Sequence, residues 1–158
     1  KIRKEIPDVT IRTSLIVGFP GETQEDFEEL LSFVKATKFD RLGTFMYSKE
    51  EGTPAARLPE QIHGNTKKSR YNKVMEAQAE ISLENLKKKI GKDYKVLIED
   101  MSFDGKYFIG RTMQDVPEED GLVYIKNDGN LNEKDILNSF VDCKIIDVSN
   151  YDLIGVVQ

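Results

Sequence analysis

The sequence is poor in the residues that hold metals and crosslinks. Its 158 residues include one cysteine, Cys143, one histidine, His63, and no tryptophan. One cysteine excludes an intrachain disulfide framework and a zinc site of the usual Cys/His kind. It equally excludes an iron–sulfur cluster held by this chain alone, which takes several thiolates. A single thiol suits a reducing, cytoplasmic setting. Long apolar runs are also missing. The longest, Leu15-Ile16-Val17-Gly18-Phe19, falls far short of the roughly 20 residues of a spanning helix, so no membrane segment is expected. The N-terminus begins with Lys1 and has no apolar stretch of the export type. It lacks an initiator methionine and reads as the start of a fragment or a processed product. Charge of one sign does not dominate, since 23 basic and 28 acidic residues leave a net −5. Such a balance creates no general attraction for nucleic acid.

What is present is unevenly placed. Residues 1–91 carry 16 basic and 14 acidic residues, a net +2, while residues 92–158 carry 7 and 14, a net −7. The patterning changes at the same point, which sets two domains, 1–91 and 92–158. The first reads as α/β. Alternating Val9, Ile11, Thr13, Leu15 and Val17 predict a strand over 9–17, buried on both faces at its end, where Ile16 joins. Gly18, Pro20 and Gly21 stop it. Thr23 is a good helix N-cap, and Glu22, Glu25 and Asp26 place negative charge at the positive end of the dipole. Phe27, Leu30, Leu31 and Val34 form one apolar stripe. A second strand over 41–47 makes a strand–helix–strand unit, hence parallel strands. After a linker a long helix over 66–90 turns Tyr71, Val74, Met75, Gln78, Ile81, Leu86 and Ile90 inward, with Lys87, Lys88 and Lys89 in its last turn and Gly91 as its C′ residue.

Beyond Gly91 the apolar period becomes two. Strands are expected over 94–100, 106–111, 122–126, 139–148 and 153–157. They are separated by turn-rich stretches, among them Asn127-Asp128-Gly129-Asn130. Five short strands of this kind predict a small antiparallel, OB-like barrel.

Two loops fall on one rim. Gly18-Phe19-Pro20-Gly21-Glu22 follows a strand and precedes a helix, where α/β folds place ligands, and its glycines allow close backbone approach. From the residues alone it reads better as an ordinary βα turn closed by glycine and proline, since short glycine motifs recur by chance. Tyr47-Ser48-Lys49-Glu50-Glu51-Gly52-Thr53 ends the next strand on the same side, and two loops on one rim strengthen a site. Glu50 and Glu51 suit acid–base work in principle but read better as a solvated loop. His63 has no second ligand or carboxylate at local spacing, and Cys143 sits in an apolar strand as a core residue. In the barrel, Tyr94, Phe103, Tyr107, Phe108, Tyr124, Phe140 and Tyr151 offer stacking surfaces. A charge of −7 there opposes phosphate binding and favours a basic partner, unless it is simply a solubilising surface.

Several segments carry a resemblance. Thr13-Ser14-Leu15-Ile16-Val17-Gly18-Phe19-Pro20-Gly21-Glu22-Thr23 resembles the fifth-strand segment of radical-SAM methylthiotransferases. Tyr47-Ser48-Lys49-Glu50-Glu51-Gly52-Thr53-Pro54-Ala55 resembles their sixth-strand stretch. The C-terminal part is similar to their TRAM domain. Gly110-Arg111-Thr112-Met113-Gln114-Asp115-Val116-Pro117-Glu118-Glu119-Asp120-Gly121 and Tyr151-Asp152-Leu153-Ile154-Gly155 resemble, in particular, the ribosomal-protein (aspartate) methylthiotransferases of the RimO family.

The resemblance implies a parent enzyme with three domains, the last two being a radical-SAM partial TIM barrel and TRAM. It implies S-adenosylmethionine and two [4Fe–4S] clusters as cofactors, cleavage of S-adenosylmethionine to a 5′-deoxyadenosyl radical, and methylthiolation of the β-carbon of an aspartate in ribosomal protein twelve of the small subunit. The six cluster cysteines are absent here. The implied content of this chain is therefore the last βα units of the partial barrel followed by TRAM, inactive alone and holding no cofactor alone. Carried over, Val17, Gly18, Phe19 and Pro20 lie near the adenosyl group, and Tyr47 and Ser48 line the same rim. No catalytic residue and no metal ligand is implied. The expected partner is the basic ribosomal protein, through the acidic TRAM, ahead of RNA. Self-association through the open barrel edge is also expected. The alternatives are a segment of the related tRNA (2-methylthio-adenosine) methylthiotransferase with an RNA-binding TRAM, and a stand-alone binding module.

Overall fold

The computed structural model describes residues 1–129 and 136–158. Asn130 of the predicted turn lies outside the described residues. The chain divides into two compact units, Lys1–Ser82 and Leu83–Gln158.

The first unit holds a short helix α1 (Ile2–Glu5), strand β1 (Arg12–Val17), helix α2 (Gln24–Thr37), strand β2 (Arg41–Met46), a single 3-10 turn (Ala55–Arg57) and most of helix α3 (Gly64–Lys87). β1 and β2 pair in parallel, from Arg12↔Arg41 to Val17↔Met46. Thr23 caps α2 through a reciprocal capping box with Asp26, which satisfies two orphan N–H groups. These bonds hold the Asp26 carboxyl below its usual range. Phe27 and Val34 of the predicted stripe are buried with Val17, Phe39, Val74 and Ile81.

Three expectations need correction along these elements. β1 begins at Arg12 rather than at residue 9. Ile11 has no ladder partner ahead of it; its N–H donates to Asp40 Oδ2 at 2.9 Å, and its carbonyl accepts from Asp40 and Arg41. The end of β1 is not buried on both faces: Ile16 is 57% exposed and its register partner Phe45 61%. Finally, α3 stops at Lys87, so Lys88, Lys89 and Ile90 are not in its last turn. Lys89 and Ile90 make short i→i−3 bonds instead, and the Gly91 N–H donates to Ile145 O at 2.8 Å, within the second unit. Ile90 is accordingly exposed rather than inward.

The second unit begins inside α3. It forms a closed barrel of β3 (Asp93–Met101), β4 (Tyr107–Thr112), β5 (Val123–Lys126), β6 (Phe140–Ser149) and β7 (Asp152–Val157) in the order β3-β4-β5-β7-β6. All five strands lie where the period-two pattern puts them. The barrel is not wholly antiparallel, because β5 and β7 run in parallel. A closed ring with an odd number of strands cannot alternate direction throughout, so one neighbouring pair must be parallel. Val96, Ile98, Phe108, Val123, Ile125, Cys143 and Ile145 fill the interior completely shielded from solvent. Register shifts at Ile98/Asp100 in β3 and at Ile145/Asp147 in β6 are β-bulges, which bend strands sharply enough for closure.

Candidate functional site

The rim of the first unit is built where β1 and β2 end. Val17 is fully buried, and its carbonyl accepts from Tyr47 N at 2.9 Å, which ties the two loops together. Gly18 has φ +73°, a left-handed conformation that disfavours side chains. The space of its missing Cβ is taken by the Lys67 chain, with Lys67 Cγ the nearest atom. The glycine therefore clears room for α3 rather than for a ligand. Its N–H is not free either, because it donates to Glu22 Oε2 at 2.9 Å.

Phe19 is 43% exposed and stands edge-on to Tyr47, with ring centroids 5.2 Å apart. Pro20 is buried and Ser48 exposed, with Ser48 Oγ donating to Glu50 Oε1 at 2.7 Å. The Tyr47 hydroxyl is buried with no hydrogen-bond partner among the described residues. The six rim residues thus divide: Val17, Gly18 and Pro20 form the base, and Phe19, Tyr47 and Ser48 supply the accessible side chains.

Three further residues hold this rim. Glu22, expected to act on the helix dipole, instead reaches back to Gly18. Its other carboxylate oxygen meets Arg70 Nη1 at 2.5 Å, with the two side chains only 12% and 7% exposed. Arg70 also donates to the Glu22 and Thr23 carbonyls, each at 3.1 Å. Lys67 Nζ donates to Tyr47 O at 2.8 Å and lies 4.9 Å from the Tyr47 ring centroid. Lys67 and Arg70 precede Val74 and Ile81 on the inner face of α3. Reading that face for apolar residues alone starts it at Tyr71 and passes over both. His63 accepts from Asn65 N at 3.2 Å, a cap at the start of α3.

A second concavity, of about 510 Å³, opens on the outside of the barrel. Its origin is the bulge in β3. An unbroken strand turns successive side chains to opposite faces; the irregularity leaves Glu99 and Asp100 both exposed, and both line the concavity. Glu118 and Asp120 complete the acidic rim over a floor of Ile109, Val116, Pro117 and Leu122. Arg111 is the cation at this site and is tied to Glu99 at 2.9 Å. The loop that shapes it is pinned from within. Asp115, 7% exposed, accepts from Thr112 Oγ1 at 2.6 Å and from Thr112 N at 3.1 Å. Asp120 accepts from Val116 N, and Asp152 from Leu122 N, both at 2.8 Å.

The aromatics considered for stacking do not form one platform. Phe108 is in the core, Tyr107 and Tyr124 contact each other edge-on at 6.1 Å, and the exposed Phe103, Phe140 and Tyr151 sit on three separate elements. Among the described residues no group of three or more His, Cys, Asp or Glu is placed to hold a metal ion. Cys143 is buried in the barrel, where desolvation pushes its thiol up to about 11. The residues present do not fit an iron–sulfur cluster. No helix among the described residues is long and apolar enough to cross a membrane.

Comparison with known proteins bears out the resemblance read from the rim and barrel segments. Residues 90–157 match the profile of the TRAM domain. The chain is 59% identical, over 98% of its length, to the ribosomal protein uS12 methylthiotransferase RimO of Alkaliphilus oremlandii, of which it spans 35%. It is 49% identical to the proteins of the same name from Citrifermentans bemidjiense and Clostridium perfringens, over 98% and 99% of its length and 34% of theirs. The chain therefore spans about a third of the length of these curated relatives.

Proposed function

We propose that this chain, a RimO-like methylthiotransferase segment ending in a TRAM domain, does two things in its parent enzyme: residues 1–91 supply one wall of the cofactor pocket, as the last βα units of a radical-SAM partial barrel, and residues 92–158 dock the protein substrate. The relatives' name points to ribosomal protein uS12 as that substrate; on this reading uS12 is a basic protein and the modification takes place in the cytoplasm. S-adenosylmethionine, when bound, supplies the reactive group together with iron–sulfur clusters held elsewhere in the longer protein. The wall is formed by Phe19, Tyr47 and Ser48 on the base of Val17, Gly18 and Pro20. Phe19, exposed and edge-on to the half-buried Tyr47 ring, offers an aromatic face at the rim to the flat ring of an adenosyl group.

The observation that carries the docking role is the bulged pair Glu99-Asp100 above an apolar floor. Carboxylates at the rim of an apolar groove attract lysine and arginine side chains, whose alkyl stems cover the floor while their charged ends meet the acids. Phosphate is repelled by the same field. The test uses the full-length enzyme containing this segment. Asp100→Asn with Glu118→Gln is expected to raise KM for uS12 about tenfold with kcat within about threefold, as loss of uniform substrate binding does. An unchanged KM would remove the docking role from this groove.

A further inference from the structure

The two rim loops share one support. Lys67 and Arg70 are one turn apart on α3, and a pair at i, i+3 lies on one helical face. Each reaches a different loop. Arg70 grips the β1–α2 turn at three points, two carbonyls and the Glu22 carboxylate, and that carboxylate holds Gly18 N. Lys67 holds the end of β2 at the Tyr47 carbonyl, while its alkyl chain fills the space beside Gly18. Four of these contacts are to main-chain atoms, so they set the path of the backbone and hence where Phe19 and Tyr47 stand.

We infer that Lys67 and Arg70 are positioning residues that set the distance between the two rim loops and so the shape of the wall offered to an adenosyl-bearing ligand. The inference rests on the cofactor reading above for the identity of the ligand. The brace itself stands on the geometry. Side chains fixed by buried polar contacts hold a site within the small tolerances that binding requires. Neither residue touches the rings of a ligand in this role; they act through Tyr47, Gly18 and Glu22.

The informative variant is Lys67→Met, which keeps an unbranched chain beside Gly18 and removes only the ammonium. In the 158-residue chain, amide hydrogen exchange is expected to quicken about tenfold at Tyr47 and the residues after it, with exchange in the α2 core unchanged, since local opening is governed by local contacts. Lys67→Arg should restore slow exchange. In the full-length enzyme, equilibrium binding of S-adenosylmethionine should weaken about tenfold for Lys67→Met and recover with Lys67→Arg. Exchange at Tyr47 that does not change would overturn the brace. Quickened exchange with undiminished S-adenosylmethionine binding would overturn its role in shaping the wall. A wild-type full-length enzyme that binds no S-adenosylmethionine would instead sink the cofactor reading, with the exchange result still deciding the brace.

Discussion

At the scale of single residues, burial decides what each polar group does. Arg70 is 6% exposed and its charge is answered by Glu22. Removing one partner of a buried pair strands the other, at a cost of about 3–5 kcal/mol. Arg70→Ala should therefore lower stability by about that amount in chemical denaturation, with the loss confined to the transition of the first unit. Cys143 makes the opposite case. Its thiol stays protonated in the folded barrel up to about 11, against 9.0 for an ordinary cysteine, because burial penalises the thiolate. Below the ordinary value both states hold the proton and the barrel keeps its full stability. As pH rises from about 9 to about 11 the unfolded chain releases a proton that the folded chain retains, so stability falls across that window. Urea titrations of wild type and Cys143→Ala over this range should show a steeper fall in stability in wild type. At pH 8 the folded thiol should resist an aromatic disulfide reagent. The core reading of Cys143 was legible from its apolar strand. The role of Glu22 was not, because a carboxylate near a helix start looks the same whether it faces the dipole or turns back to a buried arginine 48 residues on.

At the scale of elements, period and turn chemistry carried most of the information. All five barrel strands, the α2 stripe and its Thr23 cap were readable, since each depends on neighbours within a few positions. The parallel β5–β7 pair was not, because it follows from ring closure, a property of the whole set of strands. Nor were the bulges, each of which shifts one residue without a composition marker. The inner face of α3 was legible only in part for a related reason: beside Val74, Gln78 and Ile81 it also buries Arg70 and Ser82, which an apolar period does not mark. Tight approaches between strands also escape pattern reading. A Cβ at Gly155 would collide with Cys143 Sγ, and one at Gly110 with Leu97 O. Gly155→Ala should cost about 1–3 kcal/mol through overpacking, read as a lower Tm for the barrel, and Gly155→Ala combined with Cys143→Ala should recover part of it. Equal loss in the single and double variants would show that the close contact is not the cause.

At the scale of the whole chain, the first unit presents a two-stranded sheet with Ile16, Phe45 and Met46 between 47% and 61% exposed. Apolar area of this kind beside unpaired strand edges favours association. The 158-residue chain is expected to self-associate with rising concentration in sedimentation velocity, and Ile16→Lys with Phe45→Lys to suppress it without lowering Tm; a concentration-independent monomer would contradict this. The second unit poses the functional question, since residues 92–158 carry the acidic excess and the bulge that concentrates it. The most direct measurement is binding of the 158-residue chain to purified uS12 and, separately, to tRNA, by fluorescence anisotropy at low and moderate salt. Saturable binding to uS12 that weakens with salt and with Asp100→Asn and Glu118→Gln is expected, with no comparable binding to tRNA. Binding to tRNA without uS12, or uS12 binding indifferent to those two carboxylates, would contradict it.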